Sequence, residues 1–141
     1  MNAYDVMSVN IVAAKENATA IEIATRIVTG AFNGIPIIDD RGKPIGIVTT
    51  IDLLKAVKEG KSLDNITAKQ IMTHDPAVIS QDASLEEIID ILYRKGIDMI
   101  PIVEEEDDGR LIGVVSRQDI LREKLNERFV TIDKKIRSTS D

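Results

Sequence analysis

Half of this chain is a copy of the other half, and that duplication restricts its fold more than any single motif does. Val6-Met7-Ser8 recurs as Ile71-Met72-Thr73, Thr19-Ala20-Ile21-Glu22 as Ser84-Leu85-Glu86-Glu87, and Ile35-Pro36-Ile37-Ile38 as Ile100-Pro101-Ile102-Val103, each pair 65 residues apart. A fourth pair, GIVTTID at Gly46–Asp52 and GVVSRQD at Gly113–Asp119, stands 67 apart. The two extra residues fall where Asp40-Arg41-Gly42-Lys43 becomes the longer, acidic Glu104–Arg110. A length change confined to a turn is what a structural repeat tolerates.

Each copy reads as strand, helix, strand, strand, helix. Repeat 1 opens with a short segment, Ala3–Met7, and an apolar run, Ile11–Ala14, that predicts a brief strand. A helix then starts at Thr19, where Thr19 and Glu22 have the spacing of a capping box. Ala20, Ile23, Ala24, Ile27 and Ala31 make its apolar face, Ile21 and Val28 widen it, and Gly30 and Gly34 loosen and end it. Strands Ile35–Ile38 and Pro44–Val48 around Asp40-Arg41-Gly42 predict a hairpin. Pro36, lacking an amide proton, suggests an edge strand or a strand beginning. A helix over Thr50–Glu59 follows, with Ile51, Leu53, Leu54 and Val57 apolar.

Repeat 2 predicts a strand at Ala77–Ile79 and a helix capped by Ser84 with Glu87, striped by Leu85, Ile88, Ile89 and Leu92. Strands at Ile100–Val103 and Leu111–Val115 and a helix from Arg117 to Asn126 complete it. The remainder, Glu127–Asp141, is polar, with a loose strand expected at Phe129–Ile132. One such unit cannot cover its own core, but two can. The expected fold is therefore α/β (α+β): two pseudo-twofold-related β-α-β-β-α repeats packed through their sheets as one module. Repeat 1 is assigned to 1–63, repeat 2 to 64–127, and a tail to 128–141.

The chain has 141 residues, no cysteine, one histidine and a formal charge of −6. Disulfides, thiolate metal sites and cysteine nucleophiles are excluded, and His74 alone makes no metal site. The negative charge argues against a duplex DNA-binding surface. An aromatic content of 3% argues against base-stacking platforms for single strands. No apolar run approaches the ~18 residues of a membrane span. The start MNAYDVMSVN lacks a signal-peptide pattern, so the expected location is the cytoplasm.

The chemistry concentrates in the doubled seven-residue block. Each copy places a hydroxyl where a strand turns into a helix and a carboxylate three residues later: Thr49 with Asp52, and Ser116 with Asp119. Such a pair is a helix cap, worth about 1 kcal/mol without any ligand. It is also suited to a nucleotide. A carboxylate offers two acceptors to a vicinal diol, and a hydroxyl at a helix start stands beside free amides and the positive dipole end. On the motif alone both readings stand.

The ordered set of blocks, present twice over about residues 3 to 127, resembles the CBS domain, named for cystathionine β-synthase. The resemblance implies a tandem CBS pair that binds an adenosine-containing ligand (AMP, ADP, ATP or S-adenosylmethionine) in clefts between the repeats, with no required cofactor. By that resemblance Asp52 and Asp119 hold ribose hydroxyls, and Thr49 and Ser116 contact phosphate. Ser8 and Thr73, Ala13 and Val78, and Phe32-Asn33 and Ile97-Asp98 surround the base. Some members carry a basic residue just before the proline strand, where this chain has Asn33-Gly34 and Asp98-Met99. Arg117, next to Ser116, is expected to compensate, making the repeat-2 cleft the better phosphate binder.

Three roles follow. The first is a sensor that couples adenosine-ligand binding to an unnamed effector protein. The second is a dimerisation scaffold with empty clefts. The apolar arcs at Ile21 with Val28 and Ile88 with Ile91 exceed one core face and predict a homodimer packed through helices. The third, an enzyme, is disfavoured, because the pattern puts Asp52 and Asp119 in separate clefts with no nucleophile or metal cluster beside them.

Overall fold

A computed structural model describes residues 1–125 of the chain; the strand expected at Phe129–Ile132 lies outside the described residues. In repeat 1 the order is α1 (Ala3–Val6), β1 (Ala14–Lys15), α2 (Ala20–Gly30), β2 (Gly34–Ile38), β3 (Pro44–Thr49) and α3 (Thr50–Lys58). After a connector come α4 (Ala68–Ile71), β4 (Thr73–His74), β5 (Ile79–Ser80), α5 (Leu85–Lys95), β6 (Met99–Glu104) and β7 (Arg110–Ser116). Helix α6 occupies residues 117–125. The result is two sheets, β1-β2-β3-β4 and β5-β6-β7, with helices packed on them.

The long helices begin where their caps predict. The Glu22 amide donates to Thr19 Oγ1 at 3.3 Å and the Glu87 amide to Ser84 Oγ at 3.1 Å. The hydroxyl half of each expected capping box is thus in place. Helix α2 ends on Ala31 in the left-handed region (φ 55°) and α5 on Gly96 (φ 62°), so the stop signals are one residue off in repeat 1. The hairpins β2–β3 and β6–β7 are antiparallel. In the first turn Asp39 Oδ1 accepts from the Arg41 and Lys43 amides, both at 2.9 Å. The hydrogen bond from Lys43, foremost among the causes, holds the Asp39 carboxyl below its ordinary value. The two-residue insertion of repeat 2 becomes a single 3-10 turn at Glu105–Asp107.

Several expectations need correction. The strand expected at Ile11–Ala14 is only Ala14–Lys15, since parallel pairing with Ile37 and Ile38 begins there; its counterpart is Ile79–Ser80, paired with Ile102 and Val103. Strand β2 is not an edge, being flanked by β1 and β3. Pro36 fits because β1 pairs only from Ile37 onward, so the missing amide lies before that ladder. On α3, Leu53 and Ala56 are buried while Ile51, Leu54 and Val57 face solvent. Ile88, placed by the sequence on a surplus outer arc, is fully buried, whereas Ile89 is exposed.

The short segments opening each repeat cross to the other repeat. Ala3 packs in the core of Ile88, Ile100, Ile102 and Val115, whereas Ala68 and Met72 pack in the core of Ile23, Ile35, Ile37 and Val48. The backbone bonds are symmetric: Ala3 N donates to Ala83 O, and Ala68 N to Ala18 O, both at 2.8 Å. Ser8 and Val114 exchange two bonds, of 2.9 and 3.1 Å, and Thr73 pairs with Ile47 in the same way. This crossing explains the repeated glycine. A Cβ at Gly113 would lie 2.6 Å from the Met7 sulfur and 2.9 Å from the Ser8 carbonyl oxygen. A Cβ at Gly46 would lie 2.8 Å from Met72 Cγ and 3.1 Å from the Thr73 carbonyl oxygen. The sheets approach near the pseudo-twofold axis at Gly34 and Met99, which are repeat counterparts; the Met99 sulfur would stand 3.3 Å from a Cβ at Gly34.

Candidate functional site

The crossing of the short segments opens a cavity of about 370 Å³ between the repeats. Repeat 1 contributes Ile47 and Thr49 from β3 and Ile51 and Asp52 from α3; Thr73 enters from β4, and Asp75, Pro76 and Ala77 from the segment after it. Repeat 2 closes the other side with Lys95, Gly96, Ile97, Asp98, Met99 and Pro101. The volume lies within the usual range for small-molecule sites, roughly 300–1,000 Å³.

Five residues expected at the ligand converge here: Thr49, Asp52, Thr73, Ile97 and Asp98. Asp52 is part-buried, and its Oδ2 accepts from the Thr49 amide at 2.8 Å and the Thr49 hydroxyl at 3.1 Å. Its Oδ1 has no hydrogen-bond partner among the described residues, so the cap leaves half of the carboxylate to a ligand. Val78 is exposed and falls one residue beyond the lining residue Ala77.

The second expected set is arranged differently. Ser116 and Asp119 form a reciprocal cap: the Ser116 amide donates to Asp119 Oδ2 at 2.8 Å, and the Asp119 amide to Ser116 Oγ at 3.1 Å. Asp119 Oδ1 accepts from Arg122 Nη1 at 3.0 Å and from Ser8 Oγ at 3.5 Å. Ser8, Ser116 and Asp119 are thus together. Phe32 is half-buried, its ring lying over Gly30 with Cζ 3.1 Å from where a Cβ would stand. Asn33 is exposed. Ala13 lines a separate hollow with Val12, Glu22 and Arg26.

Arg117 does not stand free beside Ser116. Its Nε donates to the Ile97 carbonyl oxygen at 2.9 Å and its Nη1 pairs with Asp98 at 3.1 Å. Its charge therefore offsets Asp98, which lines the Asp52 cavity, and is not delivered to the Ser116 side. The cation lining that cavity is Lys95, which sequence reasoning missed. It closes α5, three residues before Asp98. A lysine in a helix's last turn is also an ordinary complement to the dipole, so nothing in the sequence singled it out.

A search of family models matches the CBS domain at residues 3–59 and again at 68–126. The chain belongs to the CBS domain family. A CBS domain pair solved in complex with 5′-methylthioadenosine and S-adenosyl-L-methionine superposes with a TM-score of 0.81 at 26% identity, covering 91% of this chain and 98% of that one. A CBS domain protein from Pyrobaculum aerophilum complexed with AMP shares the fold at 23% identity and a TM-score of 0.78, covering 87% and 97%. An uncharacterised protein of Methanopyrus kandleri is 34% identical over 114 residues, which is 80% of this chain and 57% of that protein. An inosine-5′-monophosphate dehydrogenase of Methanocaldococcus jannaschii is 28% identical over 86% of this chain, which spans only 23% of that enzyme. Among the described residues, no helix is long and apolar enough to cross a membrane.

Proposed function

We propose that this CBS pair is a regulatory module that binds an adenosine-containing ligand in the cavity at Asp52 and passes occupancy to a partner. The observation that carries the reading is the half-free Asp52 carboxylate inside a cavity walled by both repeats. A ribose diol can donate to Oδ1, which the helix cap leaves unused. Ile47, Ile97, Met99 and Pro101 supply apolar surface for the base. A ligand touching both repeats can bias their relative arrangement, because it binds best where both walls meet it. The ligand-bound CBS pair of similar fold supports the adenosine assignment. The role is not catalytic: the carboxylates serve as acceptors.

The assembly proposed is a homodimer through outer helices. Ile51, Leu54 and Val57 on α3, Tyr93 on α5 and Leu121 and Leu125 on α6 are apolar and exposed, a load that a second copy can cover. Native mass spectrometry of the freshly purified chain reports both claims, with copurified ligand and oligomeric state read together. In calorimetry, Asp52→Asn should weaken adenosine-ligand binding at least tenfold, since it replaces a charged acceptor by a neutral amide. Unchanged affinity in that variant would remove the ribose assignment. Silence to every adenosine compound would leave the scaffold reading, favoured by the same exposed side chains.

A further inference from the structure

The repeats are copies, yet the two carboxylates at their hearts are not in the same state. Asp52 Oδ1 is unpartnered among the described residues, while Asp119 Oδ1 is held by Arg122 at 3.0 Å and approached by Ser8 Oγ at 3.5 Å. The counterpart of Arg122, 67 residues earlier, is Lys55, which makes no bond to Asp52 among the described residues. Three residues on along the helix, the Arg122 guanidinium reaches back through Nη1 to Asp119 Oδ1. The side chain of Asp119 is 9% exposed and that of Arg122 is 62% exposed, so the guanidinium sits on the solvent side of the acid.

Two further exchanges point the same way. Lys95, which lines the Asp52 cavity, corresponds to Gly30, and Ile97 corresponds to Phe32, whose ring folds back over that glycine. The first cavity thus has a lysine and an aliphatic side chain at positions where repeat 1 carries a glycine and a phenylalanine. Ser116 and Asp119 line neither the Asp52 cavity nor the Ala13 hollow.

We infer that the clefts are functionally unequal: each chain takes one adenosine-type ligand, at Asp52, and Arg122 withholds Asp119 from a second. This rests on the reading of the Asp52 cavity as the ligand site. A diol arriving at Asp119 competes with a charge-assisted bond already made to Oδ1, whereas Asp52 Oδ1 has no such competitor among the described residues. Arg122 is therefore a selectivity residue that sets stoichiometry.

The test is isothermal titration of the full chain with 5′-methylthioadenosine, whose neutrality avoids repulsion by Asp52, Asp75 and Asp98. Wild type should bind one equivalent per chain. Arg122→Lys, which copies the repeat-1 residue, should bind two, the added site being the weaker. Arg122→Lys combined with Asp119→Asn should return to one. Arg122→Gln gives a second, uncharged route to the same gain. Two equivalents in wild type, or one in both folded Arg122 variants, overturns the inequality while leaving the Asp52 assignment intact. No heat in any variant overturns the Asp52 assignment and the inequality with it.

Discussion

At the scale of single residues, the repeated glycine is where sequence and packing meet most directly. Gly113 lies beneath Met7 and the Ser8 carbonyl, so a methyl group there would press on backbone as well as on a flexible thioether. Gly113→Ala should destabilise the chain by about 1–3 kcal/mol, the usual cost of overpacking, read as a lower midpoint in urea with unchanged slope. Truncating Met7 in the same chain should recover only part of the loss, because the Ser8 oxygen remains. Full additivity in that double-mutant cycle would show that glycine and methionine do not meet. The block GIVTTID was legible as a strand-to-helix junction carrying a hydroxyl and an acid. The sequence could not say that, among the described residues, one Asp52 oxygen has no partner while both Asp119 oxygens have one. That difference comes from Arg122 against Lys55, two residues that composition treats as equivalent.

At the scale of elements, the long helices and both hairpins could be read in advance, because Thr19 and Ser84 cap them and the apolar positions recur at one period. The short pieces could not. The repeat shows that Asn2–Ser8 resembles Thr67–Thr73, but not on which copy each one packs. Nothing local distinguishes a segment that returns to its own sheet from one that crosses. The crossing yields a test on the N-terminal piece. Ala3 is fully buried in the repeat-2 core, with Val6 and Met7 packed against it. Deleting residues 1–8 removes those side chains and the amides bonded to Ala83 and Val114. The loss should be about 3 kcal/mol or more from apolar burial alone. Its signature is positional: hydrogen exchange should quicken in β6 and β7, far along the sequence, before it quickens in β2 and β3. Faster exchange confined to β1 and α2 would mean that the segment serves its own repeat.

At the scale of the molecule, each of the two hydrophobic cores is completed by the opening segment of the other repeat. The chain does not consist of two beads on a string, since each core includes a piece of the other repeat's sequence. The hairpins also join directly: the Leu111 amide donates to the Gly42 carbonyl at 2.9 Å, and Arg41 lies 3.9 Å from Asp108. Unfolding either core strips the other of its crossing segment, so the two halves are expected to unfold together. Ile23→Ala in one core and Ile88→Ala in the other remove fully buried side chains, each at a cost of roughly 2–5 kcal/mol. Both should shift a single thermal transition downward, followed identically by far-ultraviolet dichroism and by a probe placed in the opposite repeat. Two resolved transitions in either variant would mean that the halves fold independently. The same coupling gives a bound ligand its reach. Occupancy of a cavity walled by β3, α3 and β6 raises the stability of the whole body by RT ln(1 + [L]/Kd). Under the proposed function, a module built this way would report a small molecule through every surface that depends on both repeats being folded together.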